Sequence, residues 1–210
     1  MQCPLCFDSN TIFYHQDNKR TYFQCQCCKL VFVSPEFLPS TGAEKSEYDK
    51  HENSFEDDGY RTFLKKLLTP LSIYIKPSSS ALDFGCGPAP VLAELLKEKG
   101  LEVSIYDPFY ADNIEVLEQS FDVITCTEAI EHFHQPAKEW SLFNSMLKPN
   151  GILAIMTKRV LSKERFKQWH YKNDPTHVSF FSEATFNYLA HRDTFSVEFP
   201  SSDVVLMKKL

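Results

Sequence analysis

Two cysteine pairs near the start of the chain carry the clearest chemistry. Cys3-x2-Cys6 and Cys25-x2-Cys28 stand 18 residues apart. A C-x2-C turn places two thiolates on one edge of a metal, and two such edges complete a tetrahedron, so the pattern reads as a four-cysteine zinc site. All four positions are protein thiolates, which leaves no open coordination position and makes the expected zinc structural. A β-ribbon of about 35 residues cannot bury enough apolar surface to fold alone, so the metal supplies much of its stability. Cys27 is a spare thiol beside the second pair, and Lys29 stands where a turn-permitting glycine is common.

The second constellation is a glycine turn with a distant acid. Leu82-Asp83-Phe84-Gly85-Cys86-Gly87-Pro88 lies between an apolar strand pattern and a helical one. Glycines let the backbone approach a ligand that a Cβ would exclude. The helix starting near Pro90 offers unpaired N–H groups beside that ligand. Asp107, 20 residues after Gly87, ends the next strand pattern, where a carboxylate can accept both ribose hydroxyls. The design binds an adenosine-like group. A dinucleotide turn has a third glycine at its sixth position, whereas this chain has Pro90 there, which argues against NAD.

Two further groups could act on a substrate. Glu128-x2-Glu131-His132 follows an apolar strand pattern. Trp169-His170-Tyr171-Lys172-Asn173-Asp174-Pro175-Thr176-His177 packs polar and aromatic types into a loop, a place where binding residues concentrate. His177 is a candidate general base, and Trp169, His170 and Tyr171 are candidate pocket walls. Residues 158–172 carry six cations against Glu164, so an anionic partner would be recruited there. Residues 44–58 hold seven acids against two lysines and read as a solvated acidic helix start.

The elements that must position these groups follow from periodicity. Residues 1 to about 35 alternate as short strands. Phe63, Leu64, Leu67, Leu68, Leu71 and Ile75 recur at helical spacing, with Pro70 bending or ending that helix. From residue 80 strands and helices alternate: strands at 81–84, 101–106, 121–126 and 152–156, helices at 91–99, 137–147 and 183–191. The tail, 194–199 and 203–207, reads as an antiparallel hairpin. This βαβ rhythm implies a doubly wound parallel sheet. Lys and Arg number 22 against 28 Asp and Glu, a net charge of −6, which counts against a whole-surface duplex-binding role. The apolar runs are too short for a transmembrane helix, and no secretory signal stands at the start, so the expected location is cytoplasmic.

As a set, these segments resemble the class I S-adenosylmethionine-dependent methyltransferases. Asp83-x-Gly85-x-Gly87 is similar to their first motif, with Ala89 in place of a third glycine. Residues 121–133 resemble their fourth-strand segment. Leu147-Lys148-Pro149-Asn150-Gly151-Ile152-Leu153 resembles their "LKPGG-x-L" turn, with Asn150 for the first glycine. The knuckles followed by Leu30-Val31-Phe32-Val33-Ser34-Pro35 also recur in zinc-ribbon members of the family. The resemblance implies an α/β, Rossmann-like, seven-stranded sheet with a terminal antiparallel hairpin over residues 44–210, plus a small β zinc ribbon over residues 1–38. It implies that Asp83, Gly85 and Gly87 cradle the methionine part and Asp107 and Pro108 hold the nucleoside. Thr127, Glu128 and Ala129 would line the cofactor, with Tyr48, His51, Asn53 and Tyr60 on the segment that covers it. Glu128-x2-Glu131-His132 is similar to a segment of the ubiquinone-pathway O-methyltransferases that is linked to a divalent cation, making Glu131 and His132 catalytic candidates beside His177. The expected function is methyl transfer to an O or N nucleophile on a small molecule. The alternatives are an RNA methyltransferase that grips nucleic acid with its ribbon, and a non-enzymatic S-adenosylmethionine- and zinc-binding module. The substrate, the oligomeric state and the ribbon's role are open at this level.

Overall fold

Strands β4 (Ser80–Phe84), β5 (Glu102–Tyr106), β6 (Phe121–Thr127) and β7 (Leu147–Met156) form the parallel part of a six-stranded sheet. The order is β5-β4-β6-β7-β10-β9, where β9 (Phe195–Glu198) and β10 (Val204–Lys209) are the antiparallel terminal hairpin. This is a computed structural model, and it describes residues 1–50 and 54–210. His51 and Asn53 lie outside the described residues.

The sheet's two faces follow from the period of two along each strand. Ala81, Val123, Ile152, Ala154, Met156, Val204 and Leu206 face one core, and Leu82, Phe84, Ile124, Cys126, Leu153, Ile155, Val205 and Met207 face the other. Helices α2 (Asp58–Leu71) and α3 (Val91–Glu98) cover the first face. Helix α2 buries Leu64, Leu67, Leu68 and Leu71, a stripe at helical spacing, and begins where the Asp57 side chain accepts from Tyr60 N at 3.0 Å. Helices α4 (Pro136–Met146) and α6 (Glu183–Asp193) cover the second face through Trp140, Phe143, Met146, Phe186 and Leu189, and the single-turn α5 (Lys163–Lys167) between them in sequence buries Phe166.

The sheet has one strand fewer than the expected seven. The connection 107–120 between β5 and β6 is too short for a crossover helix and a further strand. It holds an isolated Asp107–Ala111 bridge and a 3-10 turn at Ile114–Glu118, and β5 is therefore the sheet's edge. Helix α1 (Thr41–Tyr48), capped by Ser40, occupies part of the acidic stretch that reads as a helix start and begins three residues before it.

The ribbon is not a separate bead. Strands β1 (Thr11–Gln16), β2 (Thr21–Cys25) and β3 (Val31–Val33) pair antiparallel, and β3 then pairs with β8 (Ser179–Phe180) from the far end of the chain. Cys3, Leu5, Cys25, Cys28, Leu30 and Phe32 belong to the same apolar core as α4, α6 and the sheet. The two knuckles are built alike: Phe7 N donates to Cys3 O and Lys29 N to Cys25 O, each at 3.1 Å. Phe7 and Lys29, the residues after the knuckles, both take left-handed backbone, with φ of 61° and 62°. A side chain there costs about 1–2 kcal/mol, partly offset in a glycine by the larger entropy of its unfolded chain. Lys29→Gly is accordingly expected to stabilise the protein by about 0.5–1 kcal/mol and raise its thermal midpoint by about 2 °C. Calorimetry of the zinc-loaded protein checks this, and a lowered midpoint would contradict it.

Candidate functional site

A cavity of about 550 Å³ opens at the carboxyl ends of β4, β5 and β6, the place where doubly wound sheets bind ligands. Its floor is the glycine turn. Gly85 and Gly87 have φ of 74° and 63°, which favour glycine. Their roles differ. A Cβ on Gly85 would lie 2.6 Å from the Ala129 Cβ, so Gly85 lets the turn pack against the end of β6. A Cβ on Gly87 would meet nothing within 4 Å and would project into open space beside the cavity. Asp107 is held beside that turn: Oδ2 accepts from Gly87 N at 3.0 Å, and Oδ1 from Phe109 N at 2.8 Å and Tyr110 N at 3.2 Å. Pro108, Thr127, Glu128 and Ala129 also line the cavity. The Thr127 hydroxyl is buried with no partner among the described residues, an unsatisfied polar atom on a residue that lines the cavity.

Asp83 is placed differently. It is buried beneath the turn, accepts from Thr125 Oγ1 at 2.8 Å, and is not among the cavity-lining residues. Burial pushes its carboxyl up to about 6. Its position supports the turn from below.

Helix α1 roofs the cavity. Tyr48 packs edge-on against Phe109 and His132, at ring distances of 5.5 and 5.2 Å, and Tyr110 donates to Asp49 at 2.7 Å. His134 Nε2 lies 3.0 Å from Glu44 Oε1, although off the line of a hydrogen bond. Tyr60 lines the cavity from α2.

The opposite wall brings together Glu131, His132 and His177, 46 positions apart in sequence at the extremes, with one ligand-type atom from each within 4.8 Å of the others. Hydrogen bonds fix the imidazoles. The buried His177 ring places Nδ1 2.7 Å from Tyr171 O, and His132 places Nδ1 3.2 Å from Thr176 O. A carbonyl only accepts, so each Nδ1 carries a proton, and in the neutral His177 ring Nε2 keeps its lone pair. Burial holds the His177 ring below the usual histidine range. Glu131 is buried and accepts from Tyr171 Oη and from Thr157 Oγ1, the latter at 2.9 Å. Burial, with the Glu131 charge beside it, pushes Glu128 up to about 8. Glu128 also sits at φ 49°, a left-handed conformation held at the end of β6.

Trp169, His170 and Tyr171 do not line the cavity. Trp169 packs on Phe166, Tyr171 and Phe180, His170 is exposed beside Lys158, and Tyr171 supports His177 and Glu131 from behind. Two of the six cations in 158–172 are structural. Arg159 is buried and donates to Val204 O and Ser201 O, and Lys172 is buried against Asp17 at 2.9 Å. The sequence pattern missed Phe109, Tyr110, His134 and Glu139 as cavity residues. They have no motif of their own, and only the strand-end position of their neighbours marks them.

The four cysteine sulfurs converge. Cys3 Sγ lies 3.5 Å from Cys28 Sγ, and Cys6 Sγ lies 3.4 Å from Cys25 Sγ. A tetrahedral Zn–S₄ site with bonds of about 2.3 Å separates its sulfurs by about 3.8 Å, so small displacements admit the ion. Leu5 N points at Cys3 Sγ from 3.5 Å, as expected for a thiolate. The fifth thiol, Cys27, is exposed and outside the group.

Sheet order, glycine turn and the acid at the end of β5 together define an α/β protein with a Rossmann-like sheet and a cavity at its strand ends. The methyltransferase-domain family matches residues 55–198, and the chain belongs to that family. A ubiquinone biosynthesis O-methyltransferase from Histophilus somni is 30% identical over 94 residues, covering 43% of this chain and 38% of that protein. One from Xanthomonas campestris is 31% identical over 104 residues, covering 39% of this chain and 44% of its own length. The chain thus spans less than half the length of these relatives. An S-adenosylmethionine-dependent methyltransferase from Archaeoglobus fulgidus shares the fold, with a TM-score of 0.52 at 23% identity over 66% of this chain and 72% of that one.

Two outcomes follow. Gly87→Ala should leave the protein folded and weaken S-adenosylhomocysteine binding about tenfold or more, read by titration calorimetry; unchanged affinity would remove Gly87 from the ligand path. Elemental analysis should give about one zinc per chain, retained in Cys27→Ser and lost in Cys25→Ser; loss of the ion only on changing Cys27 would overturn the ligand set.

Proposed function

We propose that the chain transfers a methyl group from S-adenosylmethionine to an oxygen or nitrogen on a small molecule. The observation that carries this is one cavity with two unlike walls: the Gly87–Asp107 corner on one side and the His132–His177 pair on the other. The open space over Gly87, the orphaned Thr127 hydroxyl and the Asp107 carboxylate fit the cofactor. Asp107 would hold the ribose, with Gly87 and Thr127 against the amino-acid part. When bound, the cofactor supplies an electrophilic methyl on a sulfonium. Displacement at that methyl needs alignment above all, and α1 roofs the cavity and limits water beside the acceptor.

The chain's own residues would then manage the acceptor's proton. His177 presents Nε2, because Nδ1 is committed to the Tyr171 carbonyl. A proton taken at Nε2 would be stabilised by Asp174, whose Oδ2 lies 3.9 Å away and whose Oδ1 is pinned by the Thr176 N–H and hydroxyl. In an alternative use of the same groups, Glu131, His132 and His177 would hold a divalent cation in place of the histidine base, and its chemistry would be to lower the pKa of a bound hydroxyl. The names of the curated relatives support an oxygen acceptor. The cavity volume suits a small ligand. With Arg159 and Lys172 committed internally, the 158–172 stretch offers less to an RNA backbone than its composition suggests. We further propose that residues 1–38 act as a ribbon module on a methyltransferase domain of residues 44–210.

Tritium-labelled methyl transfer into a fractionated extract tests this. Label should enter the small-molecule fraction and depend on Asp107; label confined to RNA would establish the alternative, and no transfer to either would leave a binding module. Asp107→Ala should weaken S-adenosylhomocysteine binding about 10- to 100-fold, as expected for losing hydrogen bonds to a charged group. His177→Gln should cut label transfer by about 10²-fold or more and leave S-adenosylhomocysteine affinity within about twofold; undiminished transfer would dismiss the histidine as a base.

A further inference from the structure

Arg20 is a buried cation in the turn between β1 and β2, far in sequence from the cavity. Its guanidinium donates to four main-chain carbonyls of one loop: Pro175 O at 3.1 Å, His177 O at 2.9 Å, Asp174 O at 2.9 Å and Lys172 O. That loop carries His177. Burying a guanidinium without partners is costly, and buried carbonyls without donors are equally so. Each group therefore answers the other.

Neighbouring contacts make the tie a unit. Asp17 shapes the turn, its Oδ1 accepting from Lys19 N and Arg20 N, both at 2.9 Å. Its Oδ2 accepts from Lys172 Nζ at 2.9 Å and from Tyr22 Oη at 3.1 Å. On the other side of His177, Val33 N donates to Val178 O at 2.9 Å, and β8 continues the ribbon sheet. The loop is thus gripped at both ends by the ribbon. Strand β2 runs from Arg20 directly to Cys25, so a single short strand joins this grip to a metal-ligating cysteine.

We propose that the zinc ribbon positions the acceptor side of the cavity: Arg20 sets the His177 loop, and zinc at the four cysteines holds β2 and so Arg20 in place. Arg20 is a positioning residue that acts through main-chain carbonyls and does not touch the reacting atoms. The inference rests on the methyl-transfer reading for its consequence in turnover. Its structural content, the ribbon's hold on residues 172–177, stands independently. On this account, loss of zinc disables the acceptor wall while leaving the cofactor corner formed, because the hydrogen bonds that hold Asp107 run to Gly87, Phe109 and Tyr110 and not to the turn at Arg20.

Hydrogen–deuterium exchange on the full chain tests it without any methyl acceptor. Three samples are compared with the zinc-loaded wild type: Arg20→Ala, Arg20→Lys, and wild type stripped of zinc by a chelator. In all three, exchange across residues 170–178 should rise at least tenfold, whereas residues 82–90 keep their protection and S-adenosylhomocysteine affinity stays within about twofold. Arg20→Lys should fail to rescue, because one ammonium cannot span four carbonyls. Labelled-methyl transfer should fall in step with the loop. An Arg20→Ala protein that keeps 170–178 protected overturns the proposal. So does one that loses protection at 82–90 and cofactor affinity together, because Arg20 would then serve the whole fold. If Arg20→Ala does not fold, Asp17→Asn and the zinc-stripped wild type decide by the same two readouts. Failed cofactor binding in the wild type would instead sink the methyl-transfer reading.

Discussion

A buried guanidinium has to be answered by acceptors, and Arg20 is answered by the backbone of the loop that carries His177. Much of the architecture follows from that requirement. The ribbon cannot swing away from the larger sheet without stranding both the cation and the carbonyls. The β3–β8 pairing and the shared apolar core act in the same direction. A four-cysteine hairpin thereby backs the loop that supplies His177 to one wall of a cavity whose other wall is an ordinary glycine turn.

The two walls obey different physics. At the glycine-turn corner the backbone sets the geometry: glycines with left-handed φ and an acid oriented by three amides. At the histidine wall side chains do it, through two imidazoles whose Nδ1 protons are fixed by carbonyls and a carboxylate held by Tyr171 and Thr157. With no strand formed between β5 and β6, the sheet ends at β5, and Phe109, Tyr110 and α1 close the cavity there instead.

The glycine turn, Asp107 and the cysteine knuckles were legible in the sequence because each is a local pattern at fixed spacing. The strands were legible because both faces of the sheet are buried, so each strand is a short apolar run. The strand count was not, since nothing local says that residues 107–120 omit a strand. Trp169 and His170 looked like pocket walls from their types alone, but side-chain direction turned Trp169 into the ribbon's aromatic core. Arg20 was invisible for a related reason. Its partners are carbonyls, which carry no sequence signal, and they lie more than 150 positions away. The basic stretch 158–172 misled in the opposite sense, because charge in a sequence does not reveal that Arg159 and Lys172 are buried.

The most direct measurement is a crystal structure of the zinc-loaded protein with S-adenosylhomocysteine. The account predicts the ribose on Asp107, the amino-acid part over Gly87 and beside Thr127, the sulfur facing the side where His132 and His177 stand, and Arg20 still bonded to the loop carbonyls. A ligand seated elsewhere, or a cofactor in place with the ribbon detached from residues 172–177, would contradict it.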